Sequence, residues 1–266
     1  MATPLLLERA GPVATITLNR PESLNTLDFP LMDALIEAAA DVAADDALRV
    51  VVIRGAGKHF MAGGDLHTFE GELKKPAAER NAGFRRLIGR LHSAIEALHR
   101  MPHPVVGRVQ GAVAGFGLSL MNACDLVVAA DNAYFSSAYR NIALTPDGGG
   151  SWSLPRLVGT RRAMEIMLLA GRFDAQQALA WGLVNRVVPL AELDAATDQL
   201  VASLASGPVL AIRNTKRLVR ESLARSLSEQ LDAEASSFGA CAATPDFAEG
   251  VAAFLEKRPA QFGQAE

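Results

Sequence analysis

Apolar and polar residues follow two periods along the chain, and the switches between them mark its elements. "LLLERAGPVATITLNRP", residues 5–21, places two β-rich runs around Gly11 and Pro12, which predicts a hairpin. "LDFPLMDALIEAAADVAADD", residues 27–46, spaces its apolar positions for a helix. "LRVVVIRGAG", residues 48–57, is a short and almost wholly apolar run bounded by glycines, as in a strand covered on both faces. A glycine-rich turn, "FMAGGDL", and a polar stretch around "EGELKKPAAER" precede a helix predicted from about Phe84 to Arg100, which Met-Pro-His-Pro ends.

The pattern then repeats in kind. "PVVGRVQG" reads as a strand, "AGFGLSLMNACD" as a helix opened by glycine, and "LVVAAD" as a strand. "AYFSSAYRNIALTPDGGG", residues 133–150, reads as an extended segment running into a tight loop. From Arg161 the chain turns helical, first over "RRAMEIMLLAG" and then over "DAQQALAWGLV", where Asp174 and Gln177 have capping-box spacing. Amphipathic helix and alanine dominate from about Leu193. These periods predict an α/β core over residues 1–192 and a helical region over 193–266, with no internal repeat. Apolar positions such as Leu218, Leu223 and Phe254 exceed what a thin helical tail covers, so the tail is expected to pack on a neighbouring subunit.

Composition narrows the function classes. With 266 residues and 50% hydrophobic residues the chain builds a large core, and a net charge of −3 gives no long-range field for nucleic acid. Cys124 and Cys241 alone make a disulfide framework improbable and read as core thiols, and no metal-ligand spacing joins the five histidines to them. The start, "MATPLLLERAG", lacks the basic region of a signal peptide, and no apolar run reaches the length of a membrane span. A cytoplasmic protein with no membrane or nucleic-acid partner is expected.

Three glycine turns carry the candidate chemistry. "MAGGDL" and "GAVAGFGLSL" each follow a strand and open a helix, where backbone N–H groups are unpaired and the helix dipole is positive. Brought together, two such turns make a pair of donors for a developing oxyanion. In the third, "LTPDGGGSWSLPRLVG", Asp147 stands between Pro146 and three glycines, either as a turn-former bonding its own backbone or as a carboxylate presented to a ligand.

With these parts in place the chain resembles the crotonase, or enoyl-CoA hydratase/isomerase, superfamily. The resemblance rests on "ITLNRPESLNTLD", "HFMAGGDLHTF", "HPVVGRVQGAVAGFGLSLMNACDLVVAAD", "IALTPDGGGSWSLPRLVG", "AMEIMLLAGRFDAQQALAWGLVNRVVP" and "EGVAAFLEKRPAQF", in the family's order over nearly the whole chain. It implies a spiral of ββα units, a helical C-terminal trimerisation region forming a homotrimer or dimer of trimers, and an acyl-CoA substrate with no further cofactor. The implied oxyanion donors are the N–H groups of Gly64 and Phe116. Ser23, Leu24, Ala62, Asp65 and Leu66 fall where the family contacts CoA, and Lys257 where a C-terminal lysine approaches its phosphates. Hydratases of the family hold water between two glutamates; the matching positions are Ser119 and Tyr139, whose hydroxyls are poor general bases near neutral pH. Asp147 falls where several enoyl-CoA, dienoyl-CoA and epoxyphenylacetyl-CoA isomerases carry a single acid.

Isomerisation by Asp147 is therefore the expected chemistry. The alternatives are hydration by an atypical mechanism, a dehalogenase-like aryl-CoA hydrolase, and an acyl-CoA binder without chemistry. The hydrolase needs a helper histidine, for which His67 and His92 are the nearby residues and neither aligns convincingly. Asp65 reads as a helix cap, Ser119 and His103 as packing residues, and His67, Glu70 and Glu72 as solvated residues of a loop, with Glu70 or Glu72 the fallback base. Arg85, Arg86 and Arg90 form either a phosphate contact or a solvated basic face, and Phe84, Tyr139 and Trp152 are candidate linings of the acyl pocket.

Overall fold

The hairpin forms as its turn residues direct: β1 (Leu5–Ala10) and β2 (Val13–Leu18) pair antiparallel about Gly11, whose φ of +55° suits glycine. This computed structural model describes residues 3–263. Asp28 caps α1 (Phe29–Ala44) by accepting the Leu31 N–H at 2.9 Å. Then come β3 (Val50–Gly55), α2 (Leu66–Leu73), α3 (Ala77–Arg100), β4 (Val105–Val109), β5 (Ala112–Ala114), α4 (Phe116–Ala123), β6 (Leu126–Ala130) and β7 (Tyr134–Ser136). They are followed by α5 (Gly150–Val158), α6 (Thr160–Leu169), β8 (Phe173–Asp174), α7 (Ala175–Ala180) and β9 (Arg186–Val188). Four helices end the chain: α8 (Leu193–Ala205), α9 (Val209–Glu221), α10 (Leu227–Ala242) and α11 (Pro245–Glu256).

The larger sheet has the order β1-β2-β3-β4-β6-β9 and is parallel except at the hairpin; the smaller has the order β5-β7-β8. Alternation along β3 explains its apolar run. Val51 and Ile53 point into the main core with Leu35 of α1 and Leu98 of α3, whereas Val50 and Val52 point to the other face and meet Val106 and Val201. That other face is covered by α8, which also buries Leu193 against Val128 and Ala130. α9 is tied to the core by buried charge, since Asp125 accepts from Lys216 Nζ at 2.8 Å and from Arg220 Nη2 at 2.7 Å. The chain thus has a mixed α/β architecture with a helical C-terminal region, in line with what the resemblance implies.

Several elements differ from their sequence expectation. The stretch after the first glycine turn is a helix, α2, because Leu66, Phe69 and Leu73 keep one helical face among polar neighbours. α3 starts at Ala77 rather than near Phe84, its first two turns being polar and largely exposed. Only Tyr134–Ser136 of the expected extended segment is strand, and Tyr139–Ile142 is a short 3-10 turn. α5 was not anticipated, the stretch at Gly148–Gly150 having read only as a tight loop; Pro155 inside it leaves only the Ser151 position without its helix donor, and Ser151 is exposed. Cys124 is buried, its thiol pushed up to about 12 by burial, but Cys241 is only half-buried and is no core residue. The capping box at α7 forms as its spacing requires, Asp174 accepting from Gln177 N–H at 2.8 Å and Gln177 from Asp174 N–H at 3.1 Å.

Candidate active site

The first two glycine turns meet across one short parallel bridge. Met61 donates its N–H to Ala112 at 3.0 Å, and its carbonyl accepts from Ala114 at 2.9 Å. A Cβ on Gly63 would lie 3.4 Å from the Ala114 oxygen, and one on Gly117 would lie 2.3 Å from the Met61 oxygen. Any side chain at Gly117 would force the turns apart. Phe116 is the first residue of α4, so its N–H is one that the helix cannot satisfy. Among the described residues, neither it nor the Gly64 N–H donates to a protein acceptor.

The third turn lies against the second. A Cβ on Gly148, where φ is +56°, would stand 2.8 Å from the Phe116 ring. The loop is held from three sides: Ser119 donates to the Asp147 carbonyl at 2.8 Å, His92 Nε2 accepts the Gly148 N–H at 3.3 Å, and the Tyr139 hydroxyl donates to Asp147 Oδ1. Burial raises the Asp147 carboxyl above the usual carboxylate range, with the Tyr139 hydrogen bond and nearby His92 opposing it. Burial and the adjacent carboxylate push the Tyr139 phenol up, so it stays protonated and serves as donor.

Gly64, Phe116, Tyr139, Asp147 and His92 line one cavity of about 630 Å³. Its walls are mainly apolar, with Phe69 and Phe84 stacked edge to face at 5.2 Å between centroids. Among the described residues the one other carboxylate on its wall, Asp28, is occupied as the cap of α1 and by Arg20 at 3.2 Å. A cavity with two backbone donors, one buried carboxylate and apolar walls is suited to stabilising an enolate and moving its proton.

The sequence profile described as Enoyl-CoA hydratase/isomerase matches residues 8–265. The chain is 36% identical over 250 residues to "1,2-epoxyphenylacetyl-CoA isomerase" of Escherichia coli, covering 94% of each. It is 37% identical over 250 residues to "Probable enoyl-CoA hydratase" of Rhodobacter capsulatus, again covering 94% of each. A crystal structure of a putative enoyl-CoA hydratase/isomerase from Mycobacterium abscessus superposes with a TM-score of 0.92 at 34% identity, covering 98% of this chain and 100% of that one. This chain belongs to the enoyl-CoA hydratase/isomerase family. It is an acyl-CoA enzyme of that family, whose relatives carry isomerase and hydratase names alike.

Among the residues that the family resemblance marks, Ala62 and Leu66 line the cavity beside the first glycine turn. Ser23 and Leu24 lie just behind it, the Leu24 carbonyl accepting the Ala62 N–H at 3.1 Å. Leu24 and Asn25 both have φ of +54°, a conformation held by buried Asn25, which accepts from Arg20 N–H at 2.8 Å and donates to the His59 carbonyl at 2.8 Å. Asp65 caps α2 through the His67 N–H at 3.0 Å and pairs with Arg20 at 3.1 Å. Lys257 ends α11 with φ of +55°, away from the cavity wall. Ser119 is also off the wall, behind the Asp147 loop.

Glu70 and Glu72 sit on α2 and do not line the cavity, and Glu72 is held by Lys75 at 2.7 Å. Arg85 lines the cavity while Arg90 pairs with Asp33 at 2.8 Å. Phe84 and Tyr139 line the pocket, but Trp152 does not; it packs on His99 at 5.1 Å and lies under Arg156. His92 was weighed only as a helper histidine for the hydrolase; its bond to the Asp147 loop is what sequence reasoning missed. One clue was available, its place on the apolar-facing side of α3 one position after Leu91, which is buried.

Proposed function

We propose that the chain isomerises a β,γ-unsaturated acyl-CoA, or a strained-ring relative, to its conjugated product, with Asp147 carrying the proton. The observation that carries this reading is the single cavity shared by Asp147 and the unpaired Gly64 and Phe116 amides. Asp147 removes the Cα proton, and the electron pair moves onto the thioester oxygen to give a dienolate. The two amides take up that charge, each worth on the order of a hundredfold in rate. The carboxyl then returns its proton at Cγ, restoring the thioester and leaving the α,β double bond. Hydroxyls at 119 and 139 support isomerisation over hydration, because the pair of carboxylates that would hold a water is replaced by an anchored loop. Ala62, Leu66 and Arg85 are assigned to the CoA side of the cleft, Ser23, Leu24 and Asp65 to its supporting wall, and Lys257 to its phosphates. The apolar faces of α10 and α11 are assigned to a homotrimer or dimer of trimers.

The test is Asp147→Asn. Isomerisation of 3-hexenoyl-CoA is expected to fall about a hundredfold to ten-thousandfold while binding of the ester is retained. Turnover undiminished in that variant would move the base elsewhere. His92 on the cavity wall favours a second reading, in which Asp147 attacks the ring carbon of a haloaryl-CoA, halide leaves, and His92, once released from the Gly148 N–H that its Nε2 accepts, takes the proton of the water that cleaves the aryl ester. Chloride release from 4-chlorobenzoyl-CoA, with no proton exchange at Cα of an enoyl ester, would select it.

A further inference from the structure

Where the sequence of a hydratase would set a carboxylate, this chain sets Tyr139, and the phenol is turned toward another side chain rather than left facing solvent. Its hydroxyl donates to Asp147 Oδ1 and lies 3.4 Å from the Ser119 hydroxyl, which itself donates to the Asp147 carbonyl at 2.8 Å. Ser119 is 3% exposed and grips the loop's backbone; Tyr139 grips the carboxylate. Among the described residues Tyr139 is the one side-chain donor to that carboxylate. His92, the nearest imidazole, has its Nε2 lone pair engaged by the Gly148 N–H.

We propose that Tyr139 is a positioning residue for Asp147: its hydroxyl fixes one carboxylate oxygen and leaves the other to take and return the substrate proton. The proposal rests on the isomerase reading. Fixing one oxygen removes the choice between two bases and holds the other at one distance from Cα and Cγ, on one face of the acyl chain. The hydrogen bond also favours the ionised form, so it opposes the burial that raises the carboxyl. The titratable and charged groups facing Asp147 are Tyr139 from the 3-10 turn and His92 from α3, with Arg85 and Asp28 elsewhere on the cavity wall.

The experiment is a pH profile of kcat/KM for 3-hexenoyl-CoA, paired with an infrared difference titration of the Asp147 carboxyl identified by its loss in Asp147→Asn. Tyr139→Phe removes the donor and keeps the ring. Its acid limb and its infrared midpoint are expected to move together to higher pH by about one unit, a tenfold loss near the limb that higher pH recovers, with KM within about twofold. A second perturbation keeps the fold intact if Phe is not tolerated. The chain has two tyrosines, so biosynthetic 3-fluorotyrosine changes Tyr139 and Tyr134 alone, and a more acidic phenol is expected to move the limb to lower pH. A uniform rate loss at all pH values, or an unmoved infrared midpoint, would overturn the proposal. An inactive Asp147→Asn beside an unmoved Tyr139→Phe limb leaves isomerisation standing and removes Tyr139 from it; full activity in Asp147→Asn removes both.

Discussion

Strands β3 and β4 and the helices over them keep Ile53, Val105 and Leu98 wholly out of water, whereas α10 and α11 leave Phe238 75%, Phe254 84% and Leu255 74% exposed. Both regions are rich in apolar residues, so hydrophobicity alone does not separate them. What separates them is closure. In the first, alternate residues of each strand meet helices from the same chain on both faces, and the glycine turns at the strand ends pack too closely to admit a side chain at Gly117 or Gly148. In the second, α10 packs on α9 and on α11, but large apolar side chains on their outer faces stay exposed among the described residues. Leaving a phenylalanine in water forgoes about 1.5–3 kcal/mol. The site-bearing half therefore closes its core within one chain, and the exposed faces of the tail are the surface assigned above to assembly.

The sharpest way to break this comparison is to disturb the closed half without touching the tail. Gly148→Ala would place a methyl 2.8 Å from the Phe116 ring, between the carboxylate loop and the oxyanion donor. Gly149→Ala is its control, having similar backbone strain at φ +75° but a nearest neighbour 3.7 Å away, at Ile95. A displacement of about an ångström costs on the order of a hundredfold in turnover. That loss is expected for Gly148→Ala beyond whatever Gly149→Ala shows, with sedimentation unchanged in both. Equal losses in the two variants would mean that strain, and not the packing of the two turns, sets the geometry.

How much of this half was legible beforehand depends on what each feature needs. The covered strand at 48–57, the hairpin and the two helix-opening turns are local patterns, and they stand where their residues place them. Asp147 was marked by its glycines and by the family resemblance. That Tyr139 and His92 hold its loop was not: Tyr139 is eight residues away along a segment that read as extended, and His92 comes from α3, far off in the sequence. Contacts made by tertiary closure leave no periodic trace. α5 was missed for the opposite reason, because three glycines and Pro155 are real breakers by propensity that packing overrides. The tail was legible as surplus apolar surface, since a helix with too many exposed leucines and phenylalanines shows in the sequence itself.

A smaller effect, in the other half, sharpens the comparison. Phe254→Asp places a charge on the most exposed of the large apolar residues, where the single chain has nothing to lose by it. If the face is covered by a neighbour, association is expected to weaken by roughly tenfold to a hundredfold, the loss of one buried aromatic side chain. Analytical ultracentrifugation over a concentration series reads this directly. An unchanged sedimentation profile, or a wild-type chain that sediments as a monomer at micromolar concentration, would leave the exposed tail without a reason.

The smallest effect lies where the closed half carries a cost for its chemistry. Asp147 is kept above the ordinary carboxylate range by burial, so the folded state holds its proton more tightly than the unfolded chain does. The sign follows from linkage: the stability contributed by the protonated carboxyl is complete below the unfolded pKa and is lost as pH rises through the raised folded one. Above the unfolded pKa the buried carboxyl therefore burdens the fold. Asp147→Asn removes the charge and keeps an oxygen to accept the Tyr139 hydroxyl, so the variant that loses turnover is expected to melt higher than wild type at pH 7. Each kcal/mol recovered moves Tm by roughly 2–4 °C for a chain of about this size. Below the unfolded pKa, where both side chains are neutral, the two Tm values are expected to converge. A variant that melts lower than wild type at pH 7 would show that the Asp147 carboxylate stabilises its loop, and that its burial is structural rather than a condition imposed by proton transfer.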